Sequence, residues 1–131
     1  MTVRSSIPVA LLVVAAAGLS GCGTATPTLA GGKPVGHWID ALQSPDGATR
    51  KHAVAKLGNV GSADPVAFPA VLDALRDRDA AVRREAILAV MKFGRAAQEA
   101  VPCLTEMQQK DRDSQVRTYA ARALAGIRDG Q

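Results

Sequence analysis

Four side chains carry chemistry of the nucleophilic or metal-binding kind: Cys22, Cys103, His37 and His52. Two thiols and two imidazoles make a zinc site when the chain brings them together. Here the two histidines fall in different predicted helices, and neither has an acidic neighbour in sequence. No Ser/His/Asp set stands in a motif context, no glycine-rich loop is built for phosphate, and no Cys/His spacing fits a metal. The sequence therefore names no catalytic residue, no cofactor and no metal ligand, and it does not predict an enzyme. Two other features remain: the Cys22 thiol, preceded by Leu19-Ser20-Gly21, and an arginine that recurs as Arg50, Arg83 and Arg117.

The arginines belong to a repeat. Asp46 to Gly61, Asp79 to Gly94 and Asp113 to Ile127 align without gaps, the arginines 33 and 34 residues apart. A constant period in this range marks an array of stacked supersecondary units. Each aspartate is an N-cap, its carboxylate facing free N–H groups at the positive end of a helix. Val82, Ala86, Val90 and Phe93 then recur at helical spacing and should form a buried face. Ala53, Ala86 and Ala120 let neighbouring helices approach, and Gly61 and Gly94 suit left-handed caps. A second helix precedes each copy, over Val35–Leu42, Phe68–Leu75 and Val101–Met107. Asp64-Pro65 also looks like a cap and first turn, which leaves Pro69 awkward unless the helix starts near Phe68 or kinks there. The Arg four residues after each N-cap should pair with the Asp of a neighbouring unit. That gives a structural ladder of Asp46, Arg50, Asp79, Arg83, Asp113 and Arg117.

The pattern Asp-x-x-Val-Arg-x-x-Ala, with Pro opening the preceding helix, resembles the short HEAT-like repeats of phycobilisome lyases over about Gly36 to Ile127. The resemblance implies an all-α fold, a short α-solenoid of about three HEAT-like helix pairs over residues 35–131. Deoxyhypusine hydroxylase has a similar architecture and binds iron through repeated His-Glu pairs. Trp38 follows His37 and Ala53 follows His52, so that activity finds no support. Aromatic content of 3% fits thin helix pairs better than a thick core. Trp38 should pack at the N-terminal end of the array, and Cys103 should be a buried, inert thiol.

The N-terminus has the order of an export signal: Arg4, an apolar run over Ile7–Ala17, then small residues. The run is shorter than the roughly 20 residues a membrane span requires. Leu19-Ser20-Gly21-Cys22 resembles the bacterial lipobox. The resemblance implies cleavage before Cys22, diacylglyceryl attachment to its thiol and acylation of the new amino terminus. The predicted organisation is a lipoprotein signal peptide over 1–21, a lipidated Cys with a flexible linker over 22–34, and the repeat domain over 35–131. On composition, Gly23–Pro34 spans on the order of 20 Å. Localisation is then exported and anchored to a bacterial membrane. Gly23 in place of Asp favours the outer membrane or its periplasmic face, by analogy with lipoprotein sorting.

The net charge of +4 loses only Arg4 with the signal, so it gives no case for nucleic acid as a partner. Lys51, Arg84, Lys92 and Arg122 fall on the outward side of the second helices. They predict a mildly positive groove for an acidic protein or peptide segment, or for anionic headgroups or glycans. The function expected is a membrane-tethered interaction module at the cell envelope. The alternative is an accessory or remnant enzyme related to HEAT-repeat lyases and hydroxylases. Three units stand near the minimum for a stable array, so association with a partner or with a second copy is also expected.

Intact mass of protein extracted from membranes should show loss of residues 1–21 and gain of acyl chains on Cys22. Cys22→Ala should accumulate as precursor or appear in the soluble fraction. A wild-type chain recovered soluble, with a different first residue, rules the lipid out.

Overall fold

The computed structural model describes residues 26–130; the signal segment and Cys22 lie outside the described residues. Six helices follow in three pairs: α1 (Val35–Ala41) with α2 (Gly47–Val60), α3 (Ala67–Ala74) with α4 (Ala80–Val90), and α5 (Val101–Lys110) with α6 (Ser114–Asp129). The second helices stack, α4 packing on both α2 and α6. This is the short all-α solenoid that the period predicts. Among the described residues no helix is long and apolar enough to cross a membrane.

The caps explain the helix starts. Asp46 accepts the Thr49 amide at 2.9 Å, Asp79 the Ala81 amide at 2.8 Å and Asp113 the Val116 amide at 2.9 Å. Each carboxylate satisfies an amide that the helix itself leaves unpaired. The Pro69 difficulty resolves by a late start. Asp64 closes a turn by accepting the Val66 amide at 3.0 Å, and α3 begins only at Ala67. Pro69 is then its third residue, where no intrahelical donor is missed.

Gly61 and Gly94 are not left-handed caps. Their φ values are positive, 56° and 57°, but their ψ values are −139° and −123°, far from the +47° of the left-handed helix. Glycine reaches this region because it has no Cβ, and the chain turns sharply there into 3₁₀ turns. One such segment, Gly61–Ala63, follows α2, and a longer one, Met91–Ala100, is broken at Gly94.

Val82, Ala86 and Val90 are fully buried and Phe93 nearly so. Phe93 meets Phe68 with ring centroids 4.9 Å apart, which ties the end of α4 to its own pair. Ala53, Ala86 and Ala120 have no exposed surface, and Leu57, Leu75, Ile87 and Leu104 fill the layers between helices. Each such aliphatic side chain contributes about 1.5–3 kcal/mol on burial.

The linker ends earlier than Pro34. Leu29–Ala30 (β1) and Lys33–Pro34 (β2) form an antiparallel hairpin. Gly31 and Gly32 turn it with φ of 58° and 79°, positive at both central residues as tight two-residue turns require. Trp38 holds the hairpin to the array: its indole Nε1–H donates to the Ala30 carbonyl at 2.8 Å. Ala30 and Trp38 are both buried. Composition alone reads Gly31-Gly32 as flexibility, whereas here it is the turn that the hairpin needs.

Two glycine-to-alanine changes should move stability in opposite directions. At Gly36 an added Cβ meets no atom within 4 Å, but at Gly58 it lies 2.7 Å from Ala89 Cβ. Gly36→Ala should gain about 0.5–1 kcal/mol of helix propensity. Gly58→Ala gains the same but must push α2 from α4, at a cost of about 1–3 kcal/mol. Thermal melts should show Tm raised by the first and lowered by the second. A rise in both would refute the close approach of α2 and α4.

Candidate functional site

The recurring arginine is the most highly bonded side chain of the array. Arg50 Nη1 donates to the Ser44 and Pro45 carbonyls at 2.9 and 3.1 Å. Its Nε and Nη2 grip both oxygens of Asp77 at 2.9 and 3.0 Å. Arg83 repeats this one unit on. Nη1 donates to the Asp77 and Arg78 carbonyls, and Nε and Nη2 grip Asp111, both at 2.9 Å. Both arginines are buried, at 5% and 8% exposure. Such burial requires that nearly every donor be met.

The ladder exists, then, with a different acceptor from the one the sequence assigns. Asp79 and Asp113 are helix caps, and the arginines pair with the connector aspartates two residues earlier. The reason is geometric. The cap carboxylate is turned toward its own helix, while the connector carboxylate faces back to the preceding unit. It also accepts the next cap's amide, Asp79 N–H on Asp77 at 2.8 Å and Asp113 N–H on Asp111 at 2.9 Å. A readable signal was present: Asp77-Arg78-Asp79 and Asp111-Arg112-Asp113 recur with the period, and only Ser44-Pro45-Asp46 departs from it. Burial pushes the Asp77 carboxyl up. The Arg50 and Asp79 hydrogen bonds, with the Arg50 and Arg78 charges, outweigh it and hold the group below the ordinary carboxylate value. The hydrogen bond with Asp77 raises Arg50 in turn, against the opposing effect of desolvation.

The four basic positions, three on the second helices and Lys92 just past the end of α4, are not equivalent. Lys51 and Arg122 are exposed. Arg84 is half-buried and lies 3.5 Å from Asp113, bridging α4 to α6. Lys92 Nζ donates to Asn59 Oδ1 at 2.6 Å, bridging back to α2. Between them Leu88 and Met91 stand 45% and 38% exposed. Met91 leans on Gly126, whose missing Cβ leaves its methyl group room. The exposed apolar pair is a feature that charge counting overlooks. Its signal was Leu88, one turn beyond Arg84 on the polar side of an amphipathic helix.

None of the four basic residues lines either of two concavities in the surface. One, of about 390 Å³, lies over the Arg83–Asp111 pair and is bordered by Cys103 and Met107. The other, of about 750 Å³, lies between Met91, Gln98 and the C-terminal end of α6. Cys103 is half-buried, not enclosed, with Sγ 3.9 Å from Met107 Sδ. His37 and His52 flank the Trp38 indole edge-on, at 4.9 and 5.3 Å between centroids. That contact explains both imidazoles as neighbours of the N-terminal plug. Among the described residues no group of three His, Cys, Asp or Glu is placed to hold a metal ion.

The ladder can be tested by a double-mutant cycle. Asp111→Leu leaves the Arg83 charge buried without a partner, which costs about 3–5 kcal/mol. Arg83→Met strands the Asp111 carboxylate in the same way. The double variant should be more stable in denaturant melts than the sum of the singles predicts, by about 0.5–3 kcal/mol. Strict additivity would mean that the pair does not couple the units.

Comparison with known families adds to this geometry. No curated protein matches the chain. A family model for HEAT repeats matches residues 35–125, from the start of α1 into α6. That match covers well over half of the chain and the three helix pairs described above, and the chain belongs to the HEAT-repeat family.

Proposed function

We propose that this protein is a lipid-anchored interaction module, exported to the cell envelope, that binds an acidic segment of a partner protein on the stacked face of α2, α4 and α6. HEAT-repeat arrays in general mediate protein–protein interaction, through long surfaces built from successive units. The observation that carries the reading is the face itself. Leu88 and Met91 are uncovered at its centre, and Lys51, Lys92 and Arg122 are exposed around them. Exposed apolar side chains rimmed by charge of one sign fit a partner helix or strand with an apolar stripe and acidic flanks. The anchor rests on Leu19-Ser20-Gly21-Cys22, and it would raise the local concentration of module and partner at one membrane.

Arg84 is a poor choice for charge reversal, because Asp113 is its ion-pair partner and caps α6. The informative variant is Lys51→Glu/Lys92→Glu/Arg122→Glu, at exposed positions. Its melting temperature should stay close to wild type. Affinity for a partner recovered from envelope extract should fall at least about tenfold, and its salt dependence should flatten. Leu88→Ser should weaken binding without that change in salt slope. A triple variant that keeps full affinity removes this face from the function.

A further inference from the structure

The ladder has three arginines and two carboxylates. Arg117 Nη1 donates to the Asp111 and Arg112 carbonyls at 2.7 and 3.4 Å, as Arg50 and Arg83 do to their own connectors. Its guanidinium is therefore set in the same pose by its own unit. Among the described residues no carboxylate lies within ion-pair distance of Arg117. The Nε and Nη2 edge, which grips both oxygens of Asp77 in the first unit and of Asp111 in the second, has no such partner here. We propose that Arg117 is a docking site for another protein chain, which presents an aspartate two residues ahead of a helix N-cap.

The two filled rungs specify the ligand. In each, one aspartate takes the guanidinium edge and the amide of the second aspartate, and the second caps a helix. The recognised element is thus Asp-x-Asp opening a helix, a bidentate contact whose planar geometry lysine cannot reproduce. A second copy of this chain does not supply it. The equivalent position in the first unit is Ser44, whose hydroxyl accepts the Asp46 amide at 3.2 Å and carries no charge. The hairpin and Trp38 also occupy the N-terminal end of the array. The first unit of a second copy therefore offers no carboxylate to this rung. The end of the array is otherwise trimmed: Val54 and Ile87 are fully buried, while Ala121, their equivalent, is small and half-exposed. With little apolar area around it, the ion pair dominates the contact, and the affinity should be modest. The site shares no residue with the stacked face, so each proposal stands or fails separately.

A synthetic peptide copying Gln109–Arg128 carries Asp111-Arg112-Asp113 at a helix start and is a direct probe for the full chain. Fluorescence anisotropy should show saturable binding, with Kd roughly between 10 μM and 1 mM. Asp111→Asn in the peptide should weaken binding about tenfold or more. Arg117→Lys in the protein should weaken the wild-type peptide similarly and abolish the difference between the two peptides. The peptide substitution leaves the protein untouched, so its result does not depend on how the protein variant folds. In an NMR spectrum of arginine Nε–H groups, Arg50 and Arg83 should be protected without peptide and Arg117 only with it. Absence of saturation by about 1 mM, equal binding of both peptides to wild type, or an Arg117 Nε–H already protected without peptide would each overturn the proposal.

Discussion

One guanidinium at each junction holds three things at once: the connector carbonyls of its own unit, the connector carboxylate of the next, and through that carboxylate the amide that opens the next helix. The apolar contacts between stacked helices do not define a position this sharply. Ala53, Ala86 and Ala120 are near-identical small contacts, and Val54 and Ile87 are interchangeable in kind. A layer of such residues tolerates sliding by fractions of a helical turn. A two-point grip at 2.9–3.0 Å does not. Burying the ion pair carries a large desolvation penalty. The penalty is offset because Arg50 uses Nε, Nη1 and Nη2 as donors, four bonds in all, and Asp77 accepts a further amide. The interaction acts on register more than on net stability.

The thin core follows from the same constraint. The arginine reaches the next unit's connector only where adjacent helices approach closely, and large side chains between them would hold them apart. That closeness shows at Gly58, where an added Cβ would meet both the Cβ and the backbone Cα of Ala89. Gly47 serves the ladder more directly, since a side chain there would strike the Asp79 carboxylate. Three of the four aromatic residues close or plug a helix pair, while Tyr119 on α6 packs partly buried against the core. Phe68 and Phe93 close the second pair, and Trp38 plugs the first.

How much the sequence revealed depends on whether a feature was local or periodic. Helix caps are local, so Asp46, Asp79 and Asp113 were legible from one aspartate and the apolar spacing after it. The buried face of α4 was legible for the same reason. The ladder was half legible: periodicity identified Arg50, Arg83 and Arg117, but their acceptors depend on which way a carboxylate points across a junction. Composition misled at Gly31-Gly32, where a turn has the residues of a linker, and at Gly61 and Gly94, where positive φ alone does not specify ψ. The basic face was legible as a list of charges. That Arg84 and Lys92 are engaged with Asp113 and Asn59 was not, because both contacts join helices from different units.

The two ends of the array are built differently, and the hairpin decides how they would be presented. With β1 starting at Leu29, the chain between Cys22 and the folded domain is the short stretch 23–28. If Cys22 carries lipid, the N-terminal end, closed by the hairpin and by Trp38, is held near the headgroups. Arg117 belongs to the last helix pair, two stacking steps away from that end. An array that needs its solvent-exposed units capped closes the hairpin end with an indole hydrogen bond. At the distal end it reduces apolar exposure through Ala121 and keeps an arginine in the pose that elsewhere receives a carboxylate. The hairpin end is thus the closed one, and the unmatched ladder arginine stands at the other end of the array.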